Sequence, residues 1–166
     1  PHVGTLLDAL FSEHPEKAPA QLMEQLVALA ATLGKGGSLE RALRELTDPK
    51  HPAGAWQFSA LAGFLDALER RQDSLNGFQN KAAPELKRIV QRLDAIFSRA
   101  RDTVANDRAS ESDRLTAIRL LGRSVNRRVQ DLERLGNLLR PQVPSPLQKA
   151  ALANLSRSRE AGAADV

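Results

Sequence analysis

The chain contains no cysteine, which excludes disulfides, thiolate metal ligands and a cysteine nucleophile. Tyrosine is also absent, aromatics make up only 4% of the residues and β-branched residues are sparse, so little argues for strands. No apolar run approaches the roughly 20 residues of a membrane span. Histidine is scarce: His2, His14 and His51 lie near chain ends or prolines, and none forms the i,i+4 pair that sets two metal ligands on one helix face. A cross-loop pairing of His14 with Glu16 is the best metal arrangement on offer, and solvated loop histidines are the expectation. No Gly-x-Ser-x-Gly elbow occurs, so a serine triad would need parts from distant stretches. These absences point away from catalysis; no enzyme activity, cofactor or metal is expected.

What is present is the composition of long helices. Ala, Leu, Arg and Glu dominate, 42% of the residues are hydrophobic, and 166 residues suffice for one domain with a real core. The 24 basic and 20 acidic residues leave a net charge of +4, scattered over many segments. The start, Pro1-His2-Val3-Gly4, shows no initiator Met or signal-peptide pattern, which suggests a piece of something longer.

Hydrophobic spacing predicts about eight helices. Thr5 to Asp8 resembles a capping box ahead of Leu6, Leu7, Leu10 and Phe11. Pro19 opens a helix whose buried face is Leu22, Leu26, Leu29, Ala30 and Leu33. Ser38 caps a third, with Leu39, Ala42, Leu43 and Leu46, and Asp48-Pro49-Lys50-His51-Pro52 stops it. A longer helix carries Trp56, Leu61, Phe64, Leu65 and Leu68, followed by a turn from Ser74 to Asn80. The most regular amphipathic pattern begins at Pro84 and includes Leu86, Ile89, Val90, Leu93, Ile96, Phe97 and Val104. Past a polar turn, Ser110 caps a helix with Leu115, Ile118 and Leu121 facing inward, and Asn126 caps the next, striped by Leu132, Leu135, Leu138 and Leu139. Ser145-Pro146 opens the last, with Leu147, Ala151, Leu152 and Leu155.

Ala117–Ser124 and Ala151–Ser158 align at an offset of 34, a period typical of helical repeats. The fold class that follows is all-α, a right-handed α-solenoid. It would have an irregular block at 1–109, a HEAT-like block at 110–158, and a tail at 159–166 leading into a missing helix. An uncapped last helix would leave Leu152 and Leu155 open to self-association.

Two stretches are candidates for binding. Gly34-Lys35-Gly36-Gly37-Ser38 is glycine-rich but follows a helix and lacks the Ser or Thr that must succeed the Gly-Lys of a phosphate loop, so it reads as a helix C-cap and turn. Arg119, Arg123, Arg127 and Arg128 form a basic ridge suited to an acidic protein, a phosphate or an anionic surface. Asp131, four residues after Arg127, and the nearby Glu133 and Asp113 allow solvated pairs worth about 0.3–0.5 kcal/mol each. The ridge has no aromatic residue to stack on bases, which counts against single-stranded nucleic acid.

Asp113–Arg123, Asp131–Leu135 and Leu139–Leu152 together resemble HEAT-type repeats. With Trp56–Leu68 added, the chain is similar to the helical segment of large bacterial secreted or envelope proteins, in which a propeller dehydrogenase-like domain precedes the repeats and a c-type cytochrome domain follows. The resemblance implies a secreted or envelope location and places any redox activity in domains outside this chain. The Cys-x-x-Cys-His haem motif is absent here, so no haem ligand carries over. The function expected is a non-catalytic scaffold or protein-interaction segment of a larger multidomain protein, engaging a protein partner or neighbouring domains. The alternative is a basic helical module that binds nucleic acid or another polyanion.

Overall fold

Proline and glycine punctuate a chain of strong helix formers, and the result is helical throughout the residues described by the computed structural model. These are 2–12, 15–33, 37–51 and 53–163, the side chains of 2, 3 and 159–163 excepted. Among them are nine α-helices and no strand: α1 (His2–Ser12), α2 (Ala20–Leu33), α3 (Ser38–Leu46), α4 (Ala55–Arg70), α5 (Leu75–Lys81), α6 (Pro84–Ala105), α7 (Glu111–Ile118), α8 (Arg128–Asn137) and α9 (Ser145–Ala163). A 3-10 turn at Pro15–Lys17 joins α1 to α2. No described helix is long and apolar enough to cross a membrane.

The ninth helix is α5, where the sequence predicts a turn. Gly77 and two asparagines disfavour a helix there, but Ser74 Oγ accepts a hydrogen bond from the Gly77 N–H at 3.0 Å and caps it. Leu75 is buried, and Phe78 sets its ring edge-on to Phe64 with centroids 5.3 Å apart. Tertiary packing thus overrides weak local propensity.

The chain divides into two compact units, 1–96 and 97–166, and the division falls inside α6. In the first unit α4 is the inner helix: every residue from Trp56 to Leu68 is buried except Asp66. Lying against α4, α2 buries Met23, Leu26, Val27, Ala30 and Ala31. The two come so close that a Cβ on Gly63 would run into the Glu24 carbonyl, which is why position 63 needs glycine. This packing turns α2 from the predicted orientation, burying Met23 and Val27 and leaving Leu22, Leu29 and Leu33 exposed. Leu7 and Phe11 of α1, Ala42, Leu43 and Leu46 of α3, and Ile89, Val90, Leu93 and Ile96 of α6 complete the core. Two cap assignments shift: Gly37, in the left-handed region at φ 71°, precedes α3 in place of Ser38, and Thr5 lies within α1.

The second unit packs α9 against both α7 and α8. Ser110 caps α7 as expected, its Oγ accepting from the Asp113 N–H at 3.0 Å. Past Ile118 the chain turns through Gly122, whose φ of 79° favours glycine. The two sequence copies differ in local structure, because 117–124 leaves α7 and turns while 151–158 is continuous helix. Asn154, which matches Leu120 across the 34-residue offset, is buried; its Nδ2 donates to the carbonyls of Ile118 at 2.7 Å and Leu121 at 2.8 Å. It thereby ties the end of α7 and the turn after it to α9. The inward face of α9 is Leu147, Ala151, Asn154 and Ser158, and Leu152 is exposed.

Candidate interaction surface

Three of the four candidate arginines sit on the connection from α7 to α8 and Arg128 opens α8, and a buried ionic cluster holds that connection. Arg101, from the last turns of α6, donates from Nε to Asp131 Oδ1 at 2.6 Å and from Nη2 to Asp131 Oδ2 at 3.2 Å. Arg101 Nη2 also donates to Ser124 Oγ at 2.9 Å, while the Gly122 N–H donates to Asp131 Oδ2 at 3.1 Å. Ser124 Oγ in turn donates to the Asn126 carbonyl. Arg101 is 4% exposed and Asp131 is fully buried. Two charges withdrawn from water persist only with good geometry and further hydrogen bonds, and both oxygens of Asp131 are engaged. The sequence reads Asp131 as a solvated partner of Arg127; it is instead the anchor of Arg101, thirty residues away. The same cluster moves the start of α8. Asn126 is occupied through its carbonyl, and Arg127 precedes the helix in its place.

From this fixed turn the four arginines take different roles. Arg119 is half-buried, and its carbonyl accepts from Arg123 Nη1 at 3.3 Å. Arg128 Nη2 donates to the Ser158 carbonyl of α9 at 2.9 Å. Arg127 is exposed, and its side chain makes no hydrogen bond or ion pair among the described residues. Its backbone is left-handed at φ 64°, unusual for a residue with a side chain. Val125 and the 70%-exposed Val129 flank it.

In the first unit, His51 departs from the expectation of a solvated loop histidine. Its side chain is only 8% exposed, and its Nε2 lies 2.9 Å from Glu45 Oε2. Phe11 and Trp56 close on the ring, with centroids 6.1 and 6.0 Å away. Lys50 Nζ reaches Glu45 Oε2 at 3.0 Å and Asp48 Oδ2 at 3.4 Å. Burial opposes ionisation of Glu45, but the His51 and Lys50 hydrogen bonds outweigh it and hold the carboxyl below its ordinary value. The Lys50 backbone N–H depresses Asp48 likewise, and the Glu45 hydrogen bond raises Lys50. The available signal was Trp56, the only tryptophan in the chain, five residues after His51.

A third feature is the outer face of α2. Leu22, Leu29 and Leu33 are 39%, 43% and 51% exposed, at seven- and four-residue spacing on one helical row. Only Glu24 is charged in the whole of α2. Among the described residues no three His, Cys, Asp or Glu side chains gather to hold a metal ion. His14 and the Gly34-Lys35-Gly36 stretch lie outside the described residues. No protein family, curated protein or solved structure matches this chain.

Proposed function

We propose that the chain is a non-catalytic helical-repeat scaffold, a right-handed array of HEAT-like helix pairs through which a larger polypeptide engages a protein partner or a neighbouring domain. The observation that carries this is α2, which buries one apolar face on α4 and shows a second leucine row to solvent. In an array each helix pair is covered by the next, so an uncovered apolar row on an otherwise complete pair is what a further neighbour or partner would occupy. The polar groups most deeply buried in the second unit are engaged with one another and with main chain, a structural use of charge.

The test puts a photoreactive residue at position 29 of the full-length polypeptide. A cross-link to a defined protein or neighbouring domain is expected. Its binding should be lost in a Leu22→Glu/Leu33→Glu variant whose folding stability changes little, by about 0.5 kcal/mol per exposed site. Binding that survives those changes, or that falls steeply with salt and is competed by polyanions, would replace this function with the basic-module alternative.

A further inference from the structure

The positive charge of the chain belongs to one unit. Residues 97–166 hold 13 Lys and Arg against 8 Asp and Glu, whereas residues 1–96 hold 11 against 12. Within the basic unit the arginines are not equivalent. Arg101 is locked to Asp131, Arg128 bonds the main chain of α9, and Arg123 bonds the Arg119 carbonyl. Arg127 is different in three respects. It is exposed, its guanidinium makes no bond among the described residues, and its backbone is left-handed at φ 64°. Glycine would adopt that conformation without steric cost, and asparagine more readily than arginine. Among the described residues nothing uses this guanidinium, so the strained position keeps a side chain available for an outside contact.

Its surroundings define the contact. Val125 and Val129 are exposed within two residues on either side, and Arg134 of α8 is exposed as well. We infer that the α7–α8 connection docks an acidic amphipathic protein segment, with a carboxylate on Arg127 and apolar side chains covering Val125 and Val129. Charge complementarity favours an acidic partner for a unit with this excess, and the exposed valines favour a protein. A phosphate backbone gains little from apolar side chains. The only aromatic residue in 97–166, Phe97, is buried and offers no stacking surface for bases. This inference rests on the protein-interaction function proposed above and names a second surface and its chemistry.

The probe is a fluorescent helical peptide with Glu and Leu at i,i+4 spacing, titrated against the whole chain with a single-stranded oligonucleotide of equal charge as competitor. Arg127→Gly is expected to weaken peptide binding about tenfold or more while melting no lower than the parent, since it relieves the left-handed backbone. Val129→Ser should weaken binding in the same direction. Arg108→Glu, an exposed charge reversal elsewhere in the unit, should change affinity less than about threefold. No peptide binding, unchanged binding by Arg127→Gly, or equal losses from Arg108→Glu and Arg127→Gly would overturn the assignment. So would an oligonucleotide that displaces the peptide and binds the Val129→Ser variant undiminished. A specific cross-link from position 29 without peptide binding would leave the scaffold function standing and remove this inference alone. Peptide binding without that cross-link would do the reverse for α2.

Discussion

The two units bury different things. In the first, α4 is apolar on nearly every side, with only Gln57 and Ser59 polar among its buried residues, and the core closed around it is otherwise aliphatic and aromatic. In the second, Arg101, Ser124, Asp131, Asn154 and Ser158 are buried among the leucines and bonded chiefly to one another and to main chain. An apolar core loses stability in proportion to what is removed, whereas a buried polar cluster, here already carrying Arg101 Nη1 and Asn154 Oδ1 without a bond, fails abruptly when one member leaves. The first unit should therefore respond gradually to substitution and the second in steps.

The largest effect should come from breaking that cluster. Asp131→Ala leaves the Arg101 guanidinium and the Gly122 N–H buried without their acceptor, at a cost of about 3–5 kcal/mol measured by urea unfolding. The paired change Arg101→Met/Asp131→Leu should cost far less than Asp131→Ala, because it removes both charges together. If the pair proved additive, the cluster would be a set of independent contacts and the contrast between units would dissolve. In the first unit, Gly63→Ala should destabilise by about 1–3 kcal/mol as the added methyl forces α2 away from α4. Ser110→Ala, which removes the cap of α7, should lower stability by about 1 kcal/mol.

The smallest effect separates the units by pH. Glu45 and Asp48 are both depressed in the folded first unit. Their stabilisation is complete above the ordinary carboxylate range, about pH 4, and is lost as pH falls through the lower folded values. Lys50, raised by Glu45, acts in the opposite direction, and its contribution disappears as pH rises through its folded value. A Glu45→Gln variant should lose less on acidification than the parent, followed by Trp56 fluorescence, the only tryptophan signal in the chain.

Periodicity made most of the fold legible. Of the inward face expected for α6, Ile89, Val90, Leu93, Ile96, Phe97 and Val104 are buried and Leu86 is half-buried, because a long helix with one apolar stripe leaves few orientations open. α5 was missed because Gly77 and its asparagines resemble a turn, and only the contact of Phe78 with Phe64 decides the matter. The outer face of α2 was misassigned for a related reason. Six apolar residues beside leucines at 22, 26, 29 and 33 permit two faces, and the close approach at Gly63 selects one. Sequence alone offers no way to rank the candidate arginines. Arg127 stands apart only once Asp131 is seen to be committed to Arg101 and Arg128 to the α9 main chain.

Gly63 has a consequence beyond the core. Two helices that touch where only a hydrogen atom fits are keyed, so that α2 has a single axial register along α4. The face of α2 that meets α4 there carries Met23 and Val27, and Leu22, Leu29 and Leu33 are left to water. A bulkier residue at 63 would push α2 off α4 and loosen the contact that keeps Met23 and Val27 from water. What the first unit displays to a partner is thus written by a residue that the partner never meets.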